Sequence, residues 1–254
     1  MKIDFGKTAD DYARFRAGFP PEFFDRIAAL GLVRMGTAAL DLGTGTGTIA
    51  LGLAARGCAV TALDPSAKML AQVKARGQEA GLIIRRWEAR AESTGLPDTA
   101  FDLVIAGQCW HWFDRPRAAE EARRVLKPGG ALMMAHFDWL RLPSNVVAAT
   151  EALILKYSPD WHGAGRSAPY GQWYLDLRAA GFGEIESLSF ELDVPYTHEA
   201  WRGRIRASAG VGASLSPEKV ADFDAEHTAL LARDFPADPL AIAHRCWAVW
   251  GKKA

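Results

Sequence analysis

The chain has 254 residues, 49% of them hydrophobic, so it is long enough to bury the core of one large α/β domain. Thirty basic and thirty acidic side chains give a formal net charge of zero, which argues against a surface for nucleic acid or a membrane. The three cysteines, Cys58, Cys109 and Cys246, are far apart, so neither a disulfide framework nor a zinc site is indicated.

The N-terminal segment interleaves aromatic and basic residues as far as Pro21. It has no apolar leader, and no part of the chain approaches the ~18 continuous apolar residues of a membrane span, so we expect a cytoplasmic protein. Helical spacing places four side chains of the segment on one face: Tyr12, Phe15, Arg16 and Phe19. This helix is either a lid over the glycine turn described next or an ordinary packing helix, and Pro21 begins a second helix.

A glycine turn between a strand and a helix is the central motif of the chain. Apolar residues predict a buried strand over 37–42, and a helix is predicted over 48–56. The glycines between them are Gly43, Gly45 and Gly47, an arrangement that opens a nucleotide-binding βαβ unit. Thr48 stands where a dinucleotide fingerprint needs glycine. Asp41 would repel a pyrophosphate and attract a cationic ligand such as S-adenosylmethionine.

Asp64 is the second acidic residue that points to an adenosine ligand. It ends an apolar strand predicted over 58–63, about 20 residues after the glycines, where this architecture places a carboxylate on ribose hydroxyls. Ser66 is expected to cap a helix that runs to about Glu79. The alternative role for Asp64 is that of a turn or capping acid.

Further strands follow at regular intervals. A third is predicted over 82–87, a fourth over 101–106 and a fifth over 131–137, with a helix over 115–126 and a break at 127–130. Continuous apolar runs separated by helices indicate a parallel sheet covered on both faces. The loop after the fourth strand, residues 107–114, is rich in large aromatic groups.

Taken together, these motifs resemble the class I S-adenosylmethionine-dependent methyltransferases, and most closely the type 11 group that includes trans-aconitate methyltransferase-like proteins. The matching runs span residues 5–137 in order: FGK at 5–7, DLGTGTG at 41–47, DPS at 64–66, AE at 91–92 before LP at 96–97, FDLV at 101–104, WHWFD at 110–114 and RVLKPGG at 124–130. The resemblance implies a Rossmann-like seven-stranded, mostly parallel sheet with helices on both faces and an antiparallel last strand.

The resemblance also implies which residues contact the cofactor. The glycine turn with Thr44 would hold its methionine and ribose parts, Asp41 would support the turn or the ammonium group, and Asp64 would bind the ribose. Ala91 and Glu92 would meet the adenine edge, while Tyr12 and Arg16 could close over the carboxylate. The remaining implied contacts are Pro65, Ser66, Met69, Gln108 and Trp110, the last two at the methionine end.

His111 is the candidate general base. The sulfonium is already activated, so a base is needed only for a protonated nucleophile, and histidine titrates near neutral pH. The alternative roles for His111, among three aromatic neighbours, are pocket lining and packing. No metal is indicated, because His111, Asp114 and Glu120 lack the spacing of a ligand set.

The rest of the chain is expected to complete the sheet and to choose the acceptor. We divide a single domain into a lid over 1–34, a cofactor core over 35–137 and substrate-side insertions over 138–254. Strands are predicted over 184–194 and 240–250, and helices over 146–156, 171–181, 198–208 and 217–234. Three arginines in this part of the chain could bind a carboxylate together if their segment is extended, but they would spread around the axis if it is helical: Arg202, Arg204 and Arg206. The alternative role for each is that of a solvated surface charge. Arg141 and Arg166 are looser candidates for the same contact.

We therefore expect methyl transfer from S-adenosylmethionine to a small-molecule acceptor, with oxygen of a carboxylate or hydroxyl slightly ahead of nitrogen or carbon and S-adenosylhomocysteine as the product. No nucleic acid or membrane partner is expected, and the oligomeric state is left open. The alternatives are a non-catalytic protein that binds the same cofactor and a nicotinamide-dependent oxidoreductase, which the absence of a Tyr-x-x-x-Lys pair disfavours.

Overall fold

A computed structural model of the chain describes Phe15 and residues 17–254. A sheet of seven strands forms its centre, with the strand order β3-β2-β1-β4-β5-β7-β6. The strands are β1 (Ala38–Leu42), β2 (Ala59–Asp64), β3 (Arg85–Glu88), β4 (Phe101–Gly107), β5 (Leu126–Trp139), β6 (Phe182–Tyr196) and β7 (Leu240–Lys253). β1 to β5 pair in parallel, and β7, the last strand, is antiparallel. The α/β fold expected from the sequence is confirmed.

The described helices precede β1 and connect every pair of consecutive strands except β3 and β4. They are α1 (Pro21–Ala29), α2 (Thr48–Ala54), α3 (Ala67–Glu79), α4 (Arg115–Val125), α5 (Val146–Tyr157), α6 (Gly171–Ala179), α7 (His198–Arg206) and α8 (Pro217–Asp234), with a short 3-10 turn at Trp110–Trp112. Five have a side-chain oxygen that accepts a hydrogen bond from a backbone N–H of the first turn, a standard way to begin a helix. These capping residues are Ser66, Asp114, Asn145, Thr197 and Ser216.

The centre of the sheet is apolar on both faces, as expected for parallel strands covered by helices. Leu40 and Leu42 of β1 are fully buried, and so are Leu103, Val104 and Ile105 of β4. β1 pairs with β2 on one side and with β4 on the other, so the carboxyl ends of these three strands lie together. The loops that follow them are therefore brought to one edge of the sheet.

Two strands begin three or more residues from their predicted starts. β3 begins at Arg85 instead of residue 82, because Leu82 donates its backbone N–H to the carbonyl of Gly77 at the end of α3 and Ile83 is 95% exposed. β5 begins at Leu126, five residues before the predicted start. Residues 127–130 form an irregularity inside the strand: Phe101 pairs with Leu126, whereas Leu103 pairs with Ala131.

The described residues form two compact units that alternate along the chain. The core unit comprises residues 18–137, 169–190 and 246–254. The insert unit comprises the remaining described residues, mainly 138–168 and 191–245. The segment 169–190, which we had grouped with the substrate-side insertions, thus packs with the cofactor core. No helix in the described part of the chain is long and apolar enough to cross a membrane.

Candidate functional site

The glycine turn connects β1 to α2 in a conformation that favours glycine. Gly43, Gly45 and Gly47 have φ values of 64°, 54° and 84°. A Cβ on Gly43 would lie 3.0 Å from the Cys109 Sγ, and one on Gly47 would lie 3.0 Å from a Val73 methyl, whereas one on Gly45 would meet nothing within 4 Å. Gly43 and Gly47 therefore allow close packing, and Gly45 presents bare backbone to open space.

Asp41 makes hydrogen bonds that hold the glycine turn and the start of α2. Its Oδ2 accepts a hydrogen bond of 2.6 Å from the Thr44 hydroxyl and one of 3.1 Å from the Ala50 backbone N–H. The side chain is 1% exposed, and burial raises the pKa of Asp41 to about 7 against the opposing effect of these hydrogen bonds. Of the two roles considered for Asp41, the geometry favours support of the turn.

Asp64 joins the glycine turn to the end of β2. Its Oδ2 accepts from the Gly45 N–H at 3.0 Å, and its Oδ1 accepts from the Ser66 N–H at 2.9 Å. A carboxylate oxygen can accept two hydrogen bonds, so each retains capacity for one hydroxyl of a ligand. Ser66 caps α3 as predicted by accepting from the Met69 N–H, while Pro65 is exposed and Met69 half-buried.

These two features test whether an adenosine cofactor fits the residues present. The backbone at Gly45 is open to close approach, and the Asp64 carboxylate beside it has acceptor capacity for two adjacent hydroxyls. The edge of the sheet is thus chemically suited to the ribose of S-adenosylmethionine.

Glu92 links the loops that follow β3 and β4. Its Oε1 accepts from the Asp114 backbone N–H at 3.0 Å, and its Oε2 lies 3.4 Å from Arg90 Nε. Burial acts to raise the pKa of Glu92, but these interactions keep it below its usual value, so the group is a carboxylate at neutral pH. Ala91 beside it is buried. Their implied contact with adenine stays a prediction.

The loop after β4 is held by hydrogen bonds to neighbouring strands. Gln108 has a positive φ of 60° and donates its backbone N–H to Ala135 O at 2.8 Å and its side-chain amide to Phe137 O at 3.0 Å. Trp110 is fully buried, and its indole N–H donates to Asp176 Oδ2 at 3.0 Å. The resemblance implied that Trp110 lines the methionine end, but the structure places the ring in the core, where we assign it a packing role.

His111 is exposed beside a second histidine that the sequence analysis missed. The His111 ring centroid lies 4.8 Å from that of Trp112 and 5.6 Å from that of His136 on β5. His136 is buried, with the Tyr170 ring at 4.6 Å. Its place could have been inferred, because it directly follows Ala135, which pairs with the carboxyl end of β4.

Asp176 on α6 is the other missed residue of this region. It accepts from Trp110 and also from Arg115 Nη1 at 3.1 Å, so it holds the 3-10 turn that carries His111. Its spacing from Trp110 in the chain gave no signal. Among the described residues, no group of three or more histidines, cysteines or acids could hold a metal ion.

The remaining candidates lie elsewhere. Arg202, Arg204 and Arg206 are on helix α7, so the extended clamp considered for them is wrong. Arg202 and Arg206 share Asp224, with N···O distances of 3.0 and 2.9 Å, whereas Arg204 lies over the Trp139 ring. Tyr12 and Arg16 fall outside the residues that the structure describes, so their proposed contacts with the cofactor stay predictions.

The sheet order, the glycine turn and an acid at the end of β2 together define a Rossmann-like site for an adenosine-containing ligand. A family model described as a methyltransferase domain matches residues 40–134. The demethylmenaquinone methyltransferase of Tropheryma whipplei is 30% identical over 173 residues, 67% of this chain and 70% of that protein. The malonyl-[acyl-carrier protein] O-methyltransferase of Pectobacterium atrosepticum is 37% identical over 132 residues, 52% of this chain and 50% of that protein.

A solved structure assigned to a type II methyltransferase of Anaeromyxobacter dehalogenans has a TM-score of 0.66 at 25% identity and covers 94% of this chain and 98% of that one. The chain belongs to the class I S-adenosylmethionine-dependent methyltransferases. It spans about half the length of the first curated relatives that it matches. Membership of the trans-aconitate subgroup stays a prediction.

Proposed function

We propose that this protein transfers the methyl group of S-adenosylmethionine to an oxygen of a small organic acceptor, releasing S-adenosylhomocysteine. The observation that carries the proposal is the pairing of an open, left-handed Gly45 with the Asp64 carboxylate, which accepts the Gly45 N–H at 3.0 Å. When bound, the cofactor supplies a methyl group already activated by a sulfonium. The chain itself has to bind, orient and exclude water.

The residues at the carboxyl ends of the strands would divide this work. The backbone of residues 43–47 would hold the methionine and ribose parts, and Asp64 would hold the ribose hydroxyls. Glu92 is a carboxylate that would accept hydrogen bonds from the adenine edge. Gln108, fixed by its bonds to β5, would border the methionine end.

His111 is the residue we propose to accept a proton when the acceptor is a hydroxyl. It is exposed on the 3-10 turn, which Trp110 anchors through Asp176. A carboxylate acceptor arrives deprotonated and needs no base, so His111 would matter for hydroxyl substrates only. The O-methyltransferase among the relatives supports oxygen as the acceptor atom, and nitrogen or carbon is the alternative.

The first experiment is a calorimetric titration with S-adenosylmethionine, S-adenosylhomocysteine and NAD. We expect binding of both adenosyl ligands and not of NAD. Asp64→Ala should weaken binding of the adenosyl ligands by about 1 to 3 kcal/mol, the usual cost of losing a hydrogen-bonded charged partner. The control is Asp98→Asn, which changes an exposed acid paired with Arg124.

The outcomes separate the alternatives. Binding of NAD alone would replace the proposal with a nicotinamide-dependent oxidoreductase. Adenosyl binding without turnover on carboxylic acids, phenols or amines would favour a non-catalytic binding protein. His111→Ala should leave adenosyl affinity nearly intact and slow methylation of hydroxyl substrates; unchanged turnover on them would remove His111 from the mechanism.

A further inference from the structure

Among the described residues, Arg204 has no acidic partner, unlike the other arginines of α7. Its guanidinium carbon lies 4.7 Å from the centroid of the Trp139 ring. Within the described part of the chain it makes no hydrogen bond and no ion pair, whereas Arg202 and Arg206 both pair with Asp224. The same helix therefore carries two satisfied arginines and one whose N–H donors are unused.

Arg204 is half-buried, and none of the described acidic groups lies within ion-pair distance of it. Burial lowers the pKa of Arg204 from its ordinary value, while Tyr196 and Asp138 act on it only from beyond ion-pair distance. His244 is also nearby, and burial lowers its pKa to about 4, so it is neutral at pH 7. A guanidinium stays protonated here, so Arg204 is a half-buried positive charge that an anion could neutralise.

The ring beneath Arg204 is fixed from two sides. The Trp139 indole N–H donates to Glu151 Oε1 at 2.9 Å, and Glu151, 1% exposed, accepts the Gly165 N–H with its other oxygen. Trp201 meets Trp139 edge to face, with ring centroids 5.5 Å apart. Contact with a fixed ring restricts the positions open to the guanidinium, and its N–H donors form a rigid planar fork.

A planar fork of donors matches a carboxylate, which accepts two parallel N–H···O bonds. We propose that Arg204, which lies over the Trp139 ring, is a carboxylate-binding residue of the insert unit. The proposal goes beyond the proposed function and does not depend on it.

The test uses the full chain and benzoate as the probe, with benzamide as its neutral counterpart. The Nε–H signal of Arg204 in a proton–nitrogen spectrum is assigned by its loss in Arg204→Lys. We expect benzoate to shift this signal saturably and benzamide to leave it unchanged. Arg204→Met, which keeps apolar cover over Trp139, should weaken benzoate binding by about 10- to 100-fold, the loss of a charge-assisted hydrogen-bond pair.

Arg202→Gln is the matched control, because it removes the same charge from the same helix while Asp224 keeps Arg206. It should bind benzoate as the unmodified chain does. Both variants should retain their affinity for S-adenosylhomocysteine, so a failure of this proposal is distinguishable from a failure of the proposed function. Absence of adenosyl binding by the unmodified chain would count against the proposed function.

Three results would overturn the assignment to Arg204. The first is an Arg204 signal that no carboxylate moves while S-adenosylhomocysteine still binds. The second is equal loss of benzoate affinity in Arg202→Gln and Arg204→Met. The third is a shift produced by inorganic phosphate and not by benzoate, which would assign the site to a phosphate instead.

Discussion

Replacing Asp41 by asparagine tests whether a buried acid beneath the glycine turn carries a proton at neutral pH. Asparagine keeps an oxygen that can accept from Thr44 and Ala50, as Asp41 Oδ2 does at 2.6 and 3.1 Å. It cannot ionise. The variant therefore preserves the hydrogen bonds and removes only the titration.

The sign and size of the effect follow from the pKa of Asp41. It is 3.8 in the unfolded chain and about 7 in the folded one, so the folded state binds more protons between these values. Stability is therefore lost as the pH rises from about 4 to about 7. For a group that is 1% exposed, this difference amounts to about 2 to 3 kcal/mol between pH 5 and pH 8.

The assay is urea unfolding of both proteins at several pH values, with the difference in free energy of unfolding plotted against pH. Relative to the unmodified protein, the free energy of unfolding of Asp41→Asn should increase by that amount between pH 5 and pH 8. The buried histidines are common to both proteins, so their contributions cancel in the difference. Asp102→Asn is the control. Hydrogen bonds from Lys127 and Ala38 outweigh burial and hold the pKa of Asp102 below its usual value, so its carboxyl is ionised in both states from pH 5 to pH 8. The stability difference for this variant should therefore stay constant over that range. Parallel curves for Asp41→Asn would refute the reasoning.

Three further predictions concern the turn, the loop after β4 and the insert unit. Gly45→Ala should lower the free energy of unfolding by about 1 to 2 kcal/mol, because residue 45 has a positive φ, and it should also weaken adenosyl binding measured by calorimetry. Gly36 has a positive φ too but lies outside the site, so Gly36→Ala should leave adenosyl binding unchanged. Asp176→Ala should lower the free energy of unfolding by about 1 to 3 kcal/mol by leaving the Trp110 N–H unpaired, and Asp176→Asn should lose less; equal stability of all three proteins would contradict this. Burial lowers the pKa of His227 to about 4, so the unfolded state binds more protons as the pH falls below about 6.5, and about 3 kcal/mol should be lost by pH 4. His227→Gln should remove that loss. If urea unfolding shows the same loss of stability at acid pH in this variant, the prediction is contradicted.

The parts of the site built from backbone were predictable from the sequence. Left-handed φ values at Gly43, Gly45 and Gly47 require glycine, so the spacing of these residues reports the turn directly. Asp64 was predicted at the end of β2 because apolar periodicity places the strand and the acid follows it. The strands near these residues were predicted to within one or two positions, since burial on both faces leaves continuous apolar runs.

The parts that depend on distant partners were not predictable in this way. Trp110 was expected to face the ligand, but Asp176, 66 positions away, accepts its indole N–H in the core. The apolar run at 82–84 suggested an earlier start for β3, although Ile83 is exposed. Local pattern records periodicity and turn chemistry, and a side chain's partner is set by the tertiary fold.

This contrast bears on how the choice of anion at Arg204 can change. The proposed cofactor site, formed by the glycine turn and Asp64, depends on backbone donors and on one carboxylate. Few substitutions at these positions should preserve cofactor binding. Arg204 instead obtains its environment from side chains: Trp139 lies 65 positions earlier and His244 lies 40 positions later. Such a site can be altered without disturbing the glycine turn, because the residues that form it belong to the insert unit. We therefore expect Arg204→Met to change which anions bind while the affinity for S-adenosylhomocysteine stays constant, and a parallel loss of both would show that the two sites are not independent.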